Sequence, residues 1–255
     1  MSAPITASQL YADLEFHLSG GDLDGSLAVL DEICRQFESH GGAWELRGHL
    51  EARAGRPNLS VRYFERASEL CELEAWSSRT LAIQYVAIGR DEVAAEILHV
   101  LGLSGRLESP LLRRVSQDLV TLDRLELAVD IVWHAIQING GDAALWHELA
   151  AIQSLLGESP DVCLQAVERA IELAPSSTEF RVSAATMMIR MDDVQAAYEL
   201  VRDVVGPDDG PASVDLDCPC GLWRLICIFE SFNDFARMSV CYDRLSLLES
   251  KQTFW

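Results

Sequence analysis

Cysteines crowd one short stretch of this 255-residue chain: Cys218, Cys220 and Cys227, with Cys241 a little further on. Thiolates so placed could hold a soft metal ion or exchange with disulfides. Zinc needs four thiolate or imidazole ligands, each about 2.3 Å or less from the ion. Cys220 and Cys227 fall seven residues apart on what reads as one helix. That places them about 10 Å apart along its axis at about 1.5 Å per residue. They cannot share an ion unless the helix breaks, so packing and a helix start account for them and no metal ligand set is assigned. A redox reading of Cys218-Pro219-Cys220 rests on Cys220, because a helix start lowers a thiol's pKa. With Cys34, Cys71 and Cys163 the count is seven, odd and irregularly spaced. That is no disulfide framework, and it points to a reducing cytoplasm.

The other chemistry-bearing residues are sparse. The histidines are His17, His40, His49, His99, His134 and His147. None pairs with another at ligand spacing, and each reads as a surface or interhelical residue. The chain has no Gly-rich phosphate loop and no nucleophile elbow. Asp208, Asp209, Asp215 and Asp217 lack calcium-loop spacing and its glycine. No cofactor is implied, and the expected class is a non-enzymatic protein.

The net charge is −20. Such a chain repels nucleic acid and anionic membranes, so neither is an expected partner. No apolar run approaches the roughly 18 residues of a membrane helix. Met1 to Leu18 contains no Lys or Arg and carries Asp13 and Glu15, the wrong chemistry for a secretory or mitochondrial leader.

The elements that would position any site show a clear period. Ala143 to Ser177 carries two apolar-periodic segments broken at Gly157 and stopped at Pro175, which is a helix, a tight turn and a second helix. Equivalent turn residues are Gly21, Gly55, Gly89, Asp123, Gly157, Asp192 and Asn233, separated by 34, 34, 34, 34, 35 and 41 residues. All are types that tolerate a left-handed backbone, as the end of a reversing helix requires. The repeats run 7–40, 41–74, 75–108, 109–142, 143–177, 178–218 and 219–252. Their eighth position is mostly small: Leu14, Gly48, Ala82, Ser116, Ala150, Ala185 and Ile226. The twentieth is Ser26, Ser60, Ala94, Ala128, Cys163, Ala197 and Met238. Small residues at fixed places let helices approach closely. Residues 1–6 read as frayed, with a capping box at Thr6-Ala7-Ser8-Gln9. An exposed acidic loop is expected near 206–218, and a short tail at 253–255.

A 34-residue helix–turn–helix period of this composition resembles the tetratricopeptide repeat. Trp146, Leu149, Ala150, Ala170 and Pro175 carry the resemblance in repeat five. Trp44, Gly48, Phe64 and Ala67 carry it in repeat two, and Leu81, Ala82, Tyr85 and Ala94 in repeat three. It covers about residues 7 to 252. It implies an all-α, right-handed α-solenoid of about seven degenerate repeats, read as one domain that binds a protein or peptide in its concave groove.

By that resemblance the second, fifth, ninth and twelfth positions of each first helix face the ligand. The groove candidates are then His49, Arg53, Arg79, Arg113, Gln117, His147, Val182 and Trp223, with Arg114 close by in register. Arginine forks favour carboxylates and phosphates, so an acidic or amphipathic segment is the expected partner. The competing expectation is that these arginines pair with carboxylates of neighbouring helices, which 40 acids against 20 bases make easy. The family's clamp for chaperone tails is not carried over, because Arg79 is followed by Ile83 where that clamp needs Asn. An alternative is self-association through the C-terminal end, where Phe254 and Trp255 stand.

Overall fold

The computed structural model describes residues 7–206, 210 and 214–252. They form fourteen α-helices, with no strand among the described residues. In chain order these are α1 (Ala7–Ser19), α2 (Leu23–Gln36), α3 (Gly41–Arg53), α4 (Pro57–Leu70), α5 (Ala75–Ala87), α6 (Asp91–Leu103) and α7 (Ser109–Thr121). There follow α8 (Leu125–Ile138), α9 (Ala143–Leu155), α10 (Pro160–Leu173), α11 (Thr178–Arg190), α12 (Val194–Val201), α13 (Pro219–Ser231) and α14 (Phe235–Gln252). The pairs α1–α2, α3–α4, α5–α6, α9–α10, α11–α12 and α13–α14 each pack as a hairpin.

All seven expected turn residues have positive φ, between 56° and 79°. Each ends its first helix in the same pattern. Arg90 N–H donates to Tyr85 C=O at 2.9 Å and Gly89 N–H to Val86 C=O at 2.9 Å. Arg124 to Leu119 (2.9 Å) and Asp123 to Val120 (3.0 Å) repeat it, as do Asp234 to Phe229 (2.9 Å) and Asn233 to Glu230 (3.0 Å). This is the Schellman arrangement, which satisfies carbonyls the helix end leaves open. Several second helices then start on a capping side chain or a first-turn proline: Asp22, Ser159 and Asp193 accept from helix-start amides of α2, α10 and α12, and Pro57 and Pro160 need no partner at the starts of α4 and α10. Pro110 and Pro219 open the first helices α7 and α13 in the same way.

The small columns are buried. Ala82, Ser116 and Ala185 of the eighth column and Ser60, Ala94, Ala128, Cys163 and Ala197 of the twentieth are fully enclosed. Gly48 shows why. A Cβ there would stand 2.9 Å from the Phe64 ring, and Ser60 Oγ donates to Gly48 C=O at 2.8 Å. Tryptophans at equivalent places tie down the preceding turn. Trp44 Nε1 donates to Glu38 C=O, and Trp146 Nε1 to Gly140 C=O, both at 2.9 Å.

The sequence reads as one array; packing divides the chain into two compact units, Met1–Ala128 and Val129–Trp255, the division falling within α8. In the first, α3 packs on α2 and α4 and also touches α5. Leu10, Leu14, Leu27, Leu30 and Ile33 close its N-terminal core. In the second, α11 packs on α10 and α12 and touches α13. First helices therefore meet neighbours on several sides. Accordingly α3, α5, α9 and α11 spread apolar residues more evenly round their axes than α4 or α10.

The described end of the segment near 206–218, expected as an exposed acidic loop, alternates exposed and buried side chains. Asp215 and Asp217 are exposed, but Val214 and Leu216 between them are buried in the core of the second unit, as is Val205. The alternation turns successive side chains to opposite sides. Arginines hold the segment. Arg181 donates to Leu200 C=O at 2.6 Å, Arg237 to Arg202 and Val205 C=O at 2.8 Å, and Arg244 to Asp217 at 2.5 Å. The bonds from Arg181 and Arg237 occupy carbonyls just before and beyond the end of α12, which is only eight residues long, while Arg244 takes the Asp217 carboxylate. Thr6 of the expected capping box, Pro207, Asp208, Asp209, Pro211, the expected frayed start and the tail with Phe254 and Trp255 lie outside the described residues.

The turn geometry yields a test. Gly89 has φ 75° with nothing within 4 Å of a would-be Cβ, so any penalty there is purely conformational. Gly89→Val should cost ~1–2 kcal/mol in chemical denaturation. Val at exposed Arg90 should cost much less. Equal losses would break the assignment of Gly89 as the left-handed turn residue.

Candidate functional site

In the first unit, side chains of α3, α5 and α7 meet on one face. His49 Nε2 lies 2.7 Å from Ser77 Oγ and its ring stands edge-on to Phe64. Glu45 accepts from the backbone N–H of Glu74, just before α5, at 3.1 Å. Arg79 donates Nε and Nη2 to the two carboxylate oxygens of Asp118 at 2.6 and 3.0 Å. That pair is partly buried, with side-chain exposures of 16% and 23%. The competing expectation therefore describes Arg79: its fork is taken by a carboxylate of the next hairpin. Arg53, Arg114 and Gln117 are exposed, Arg113 is half-buried, and neither Arg53 nor Arg114 forms an ion pair among the described residues.

The most prominent group on this face was not singled out from sequence. Trp76, at the second position of its repeat, is 48% exposed. The guanidinium carbons of Arg79 and Arg114 lie 5.4 and 5.7 Å from its ring centroid. Both are within cation–π range. Ile83 and Val86, one and two turns along the same helix as Arg79, are partly exposed too. The second-position rule pointed to Trp76; only the three-dimensional approach of the two arginines marks it out.

Other charges in this unit are structural. Arg47 is buried, bridges Asp31 and Glu51, and lies 4.4 Å from the Tyr63 ring centroid. Glu51, fully buried, also receives Arg56 at 3.3 Å. Removing one member would strand a buried charge, so the network fixes α3 rather than waiting for a ligand.

In the second unit, His147 Nε2 approaches Ser183 Oγ at 2.9 Å and packs beside Phe180. Both expected groove histidines are thus held by a serine of the next hairpin. Val182 is 2% exposed and belongs to the core cluster, so the expected contact with a partner through it is corrected. Its neighbours are Ala185 and residues of α12 and α13, and the fifth position turns inward here. Trp223 is 47% exposed, edge-on to Tyr242 at 5.7 Å between centroids. Residues of α9, α11, α13 and the segment before α13 line a partly open cavity of about 330 Å³, among them His147, Ser154, Ser183, Cys218, Cys220 and Arg224. Among the described residues no three His, Cys, Asp or Glu side chains converge as a metal ligand set. No helix among them is long and apolar enough to cross a membrane.

Solved structures resemble this arrangement. The C-terminal part of a TPR repeat-containing protein of Cytophaga hutchinsonii superposes with a TM-score of 0.60 at 10% identity, over 93% of this chain and 94% of that one. A tetratricopeptide repeat protein from Parabacteroides merdae gives 0.57 at 13% identity, over 94% and 92%. MamA from residue 41 onward, of Desulfovibrio magneticus, gives 0.48 at 17% identity, over 64% and 92%. No protein-family model matches the chain, and no curated protein is significantly similar in sequence. The first two likenesses establish the fold: helix–turn–helix repeats of the tetratricopeptide, all-α solenoid type.

Two outcomes follow from the first unit's face. A double-mutant cycle of Arg79→Ala and Asp118→Ala should give a coupling of about 1 kcal/mol, near the top of the range for partly exposed pairs because the bond is bidentate. No coupling would mean the fork is not formed in solution. Burial holds the His49 imidazole below its ordinary value of 6.5, against the opposing pull of the Glu45 carboxylate. The unfolded chain takes up that proton near 6.5 and the folded chain does not, so stability falls as pH drops through that value. Replacing His49 by Gln should flatten the fall in thermal midpoint between about pH 7.5 and about pH 5.5; an unchanged slope would place the histidine's proton uptake elsewhere.

Proposed function

We propose that this protein is a non-enzymatic binding scaffold whose first unit takes an acidic, apolar-containing segment of another protein. One observation carries the reading. Trp76 stands exposed with two arginines over its ring, on an otherwise strongly acidic molecule. Tryptophan and arginine are the residue types that most often dominate interface energetics. A Trp steadied by guanidinium groups is an anchor with little rotamer freedom left to lose on binding. Ile83 and Val86 extend the apolar strip along α5, and Arg53 and Arg114 supply positive charge not committed to an ion pair. A basic partner would meet the Arg53 and Arg114 guanidiniums of this face; an acidic one pairs with them, while the carboxylates of Glu45 and Asp118 on this face already accept hydrogen bonds within the protein.

Arg79 plays a different part from the one its column implies. Its charge is neutralised by Asp118, and what it presents is the guanidinium plane beside Trp76. Arg113 keeps its place among the proposed contacts as the neighbour of Arg114 on α7; His147 belongs to the second unit and is no part of this face. The fold supports a scaffold, because it joins its repeats into a surface rather than a closed site. A soluble cytoplasmic setting is part of the same proposal and rests on cysteine usage.

The test is a displayed library of acidic peptides interspersed with Leu, Phe or Trp, set against a charge-reversed library. Acidic peptides should be enriched. Trp76→Ala should weaken them tenfold or more, and Arg53→Glu with Arg114→Glu should do the same with a shallower salt dependence. Enrichment of basic peptides, or binding indifferent to Trp76, would sink the proposal.

A further inference from the structure

We infer that Cys218 and Cys220 form an oxidisable dithiol, a modification site at which a small-molecule disulfide converts the two thiols to an intrachain disulfide. Both side chains are exposed, and their sulfurs stand 3.0 Å apart, one thiol donating to the other. A disulfide needs the sulfurs at about 2.0 Å. Closing the remaining gap of about 1 Å is within reach of two exposed side chains. The backbone between them is already set. Cys218 is the N-cap of α13, with φ −92° and ψ 114°, and Pro219 fills the first helical position. The proline ring fixes φ there and removes an N–H that would need a partner.

No other cysteines among the described residues are so placed. Cys34, Cys163 and Cys241 are buried, and burial pushes the thiols of Cys34 and Cys241 up to about 11 and about 12. Cys71 is exposed but its thiol turns back to Ala67 C=O. Cys227 is exposed on the same helix as Cys220, without a second thiol beside it. Only the pair at 218 and 220 combines exposure, a neighbouring thiol and a helix start.

The two sulfurs are not equivalent. A hydrogen bond shared between the two sulfurs holds Cys218 below its ordinary value of 9.0, against partial desolvation and with the Gly221 and Cys220 amides and the Arg224 guanidinium adding to it, and holds Cys220 above that value. The sequence points to Cys220 as the activated thiol; Cys218 stands at the N-cap itself, where a helix start favours a thiolate, so it is the attacking sulfur of the proposal. Cys218 thiolate attacks one sulfur of the small disulfide. The S–S bond breaks, one thiolate leaves and takes a proton from water, and a mixed disulfide remains on Cys218. Cys220 then loses its proton to solvent and attacks the Cys218 sulfur, expelling the second small thiol. Two protein thiols are oxidised by two electrons, and the small disulfide is reduced to two thiols. The pair lines the cavity shared with His147, Ser183 and Arg224, which gives the reagent its approach.

The test uses the full chain in glutathione buffers of stepwise increasing oxidised fraction, acid-quenched, alkylated and digested for mass analysis. The peptide carrying Cys218 and Cys220 should lose two hydrogens before Cys71 or Cys227 takes up glutathione. Cys220→Ser should trap glutathione on Cys218. Cys218→Ser, which places a good N-cap residue at the helix start and so keeps the fold, should slow modification of Cys220 at least tenfold. Reaction of the pair no earlier than Cys71 and Cys227 overturns the inference. Equal modification of the two serine variants overturns the assignment of Cys218 as the attacking sulfur, and circular dichroism of both variants confirms that folded protein is being compared.

Discussion

A left-handed residue closes each hairpin, and the remaining structure depends on that closure. With φ near 60–80° at Gly21, Gly55, Gly89, Asp123, Gly157, Asp192 and Asn233, the chain reverses within a few residues and returns two hydrogen bonds to the helix it has just left. The reversal sets the distance between the two helices of a hairpin. That distance is why the eighth and twentieth positions must be small. Gly48 meets the face of Phe64, and Ser60 bonds across to the Gly48 carbonyl. Turn chemistry and packing chemistry are therefore one constraint seen at two places. Three of the seven turns use Asp or Asn, whose short polar side chains bear the left-handed region better than other side chains do.

This constraint explains what was legible in the sequence. Turn residues and small columns recur because backbone sterics act at the same place in every copy, so their positions can be counted. The segment after α12 has no such repetition. Its arginine partners sit up to 35 residues away, as Arg237 does from Arg202, and Val214 and Leu216 show only a brief alternation among aspartates and prolines. Composition alone reads that stretch as exposed, and only packing reveals its apolar half.

The candidate face was harder to read for a related reason. A column says which way a backbone position points, not what lies opposite. Arg79 meets Asp118, the tenth residue of its repeat and outside every ligand-facing column. Val182 holds a ligand-facing position yet is buried in a core cluster with residues of α12 and α13. Trp76 was within the rule, at the second position rather than the fourth where the half-buried Trp44 and Trp146 stand, but the column says nothing of the two arginines beside its ring. Charge counts had the opposite fault. They forecast that acids would claim the arginines, which describes Arg47 and Arg79 and leaves out Arg53 and Arg114.

The locally closed turns also bear on how the chain reaches this state. Within each unit a helix finds its main partners among its immediate neighbours in sequence, and no strand pairing among the described residues brings distant segments together. Little loop entropy must be lost before favourable contacts form, the condition under which small helical proteins fold on microsecond-to-millisecond timescales. A hairpin with its left-handed residue in place is a ready template for the next. The same left-handed residues that make each reversal possible thus keep newly made chain from waiting, apolar faces bare, for its far end to be synthesised.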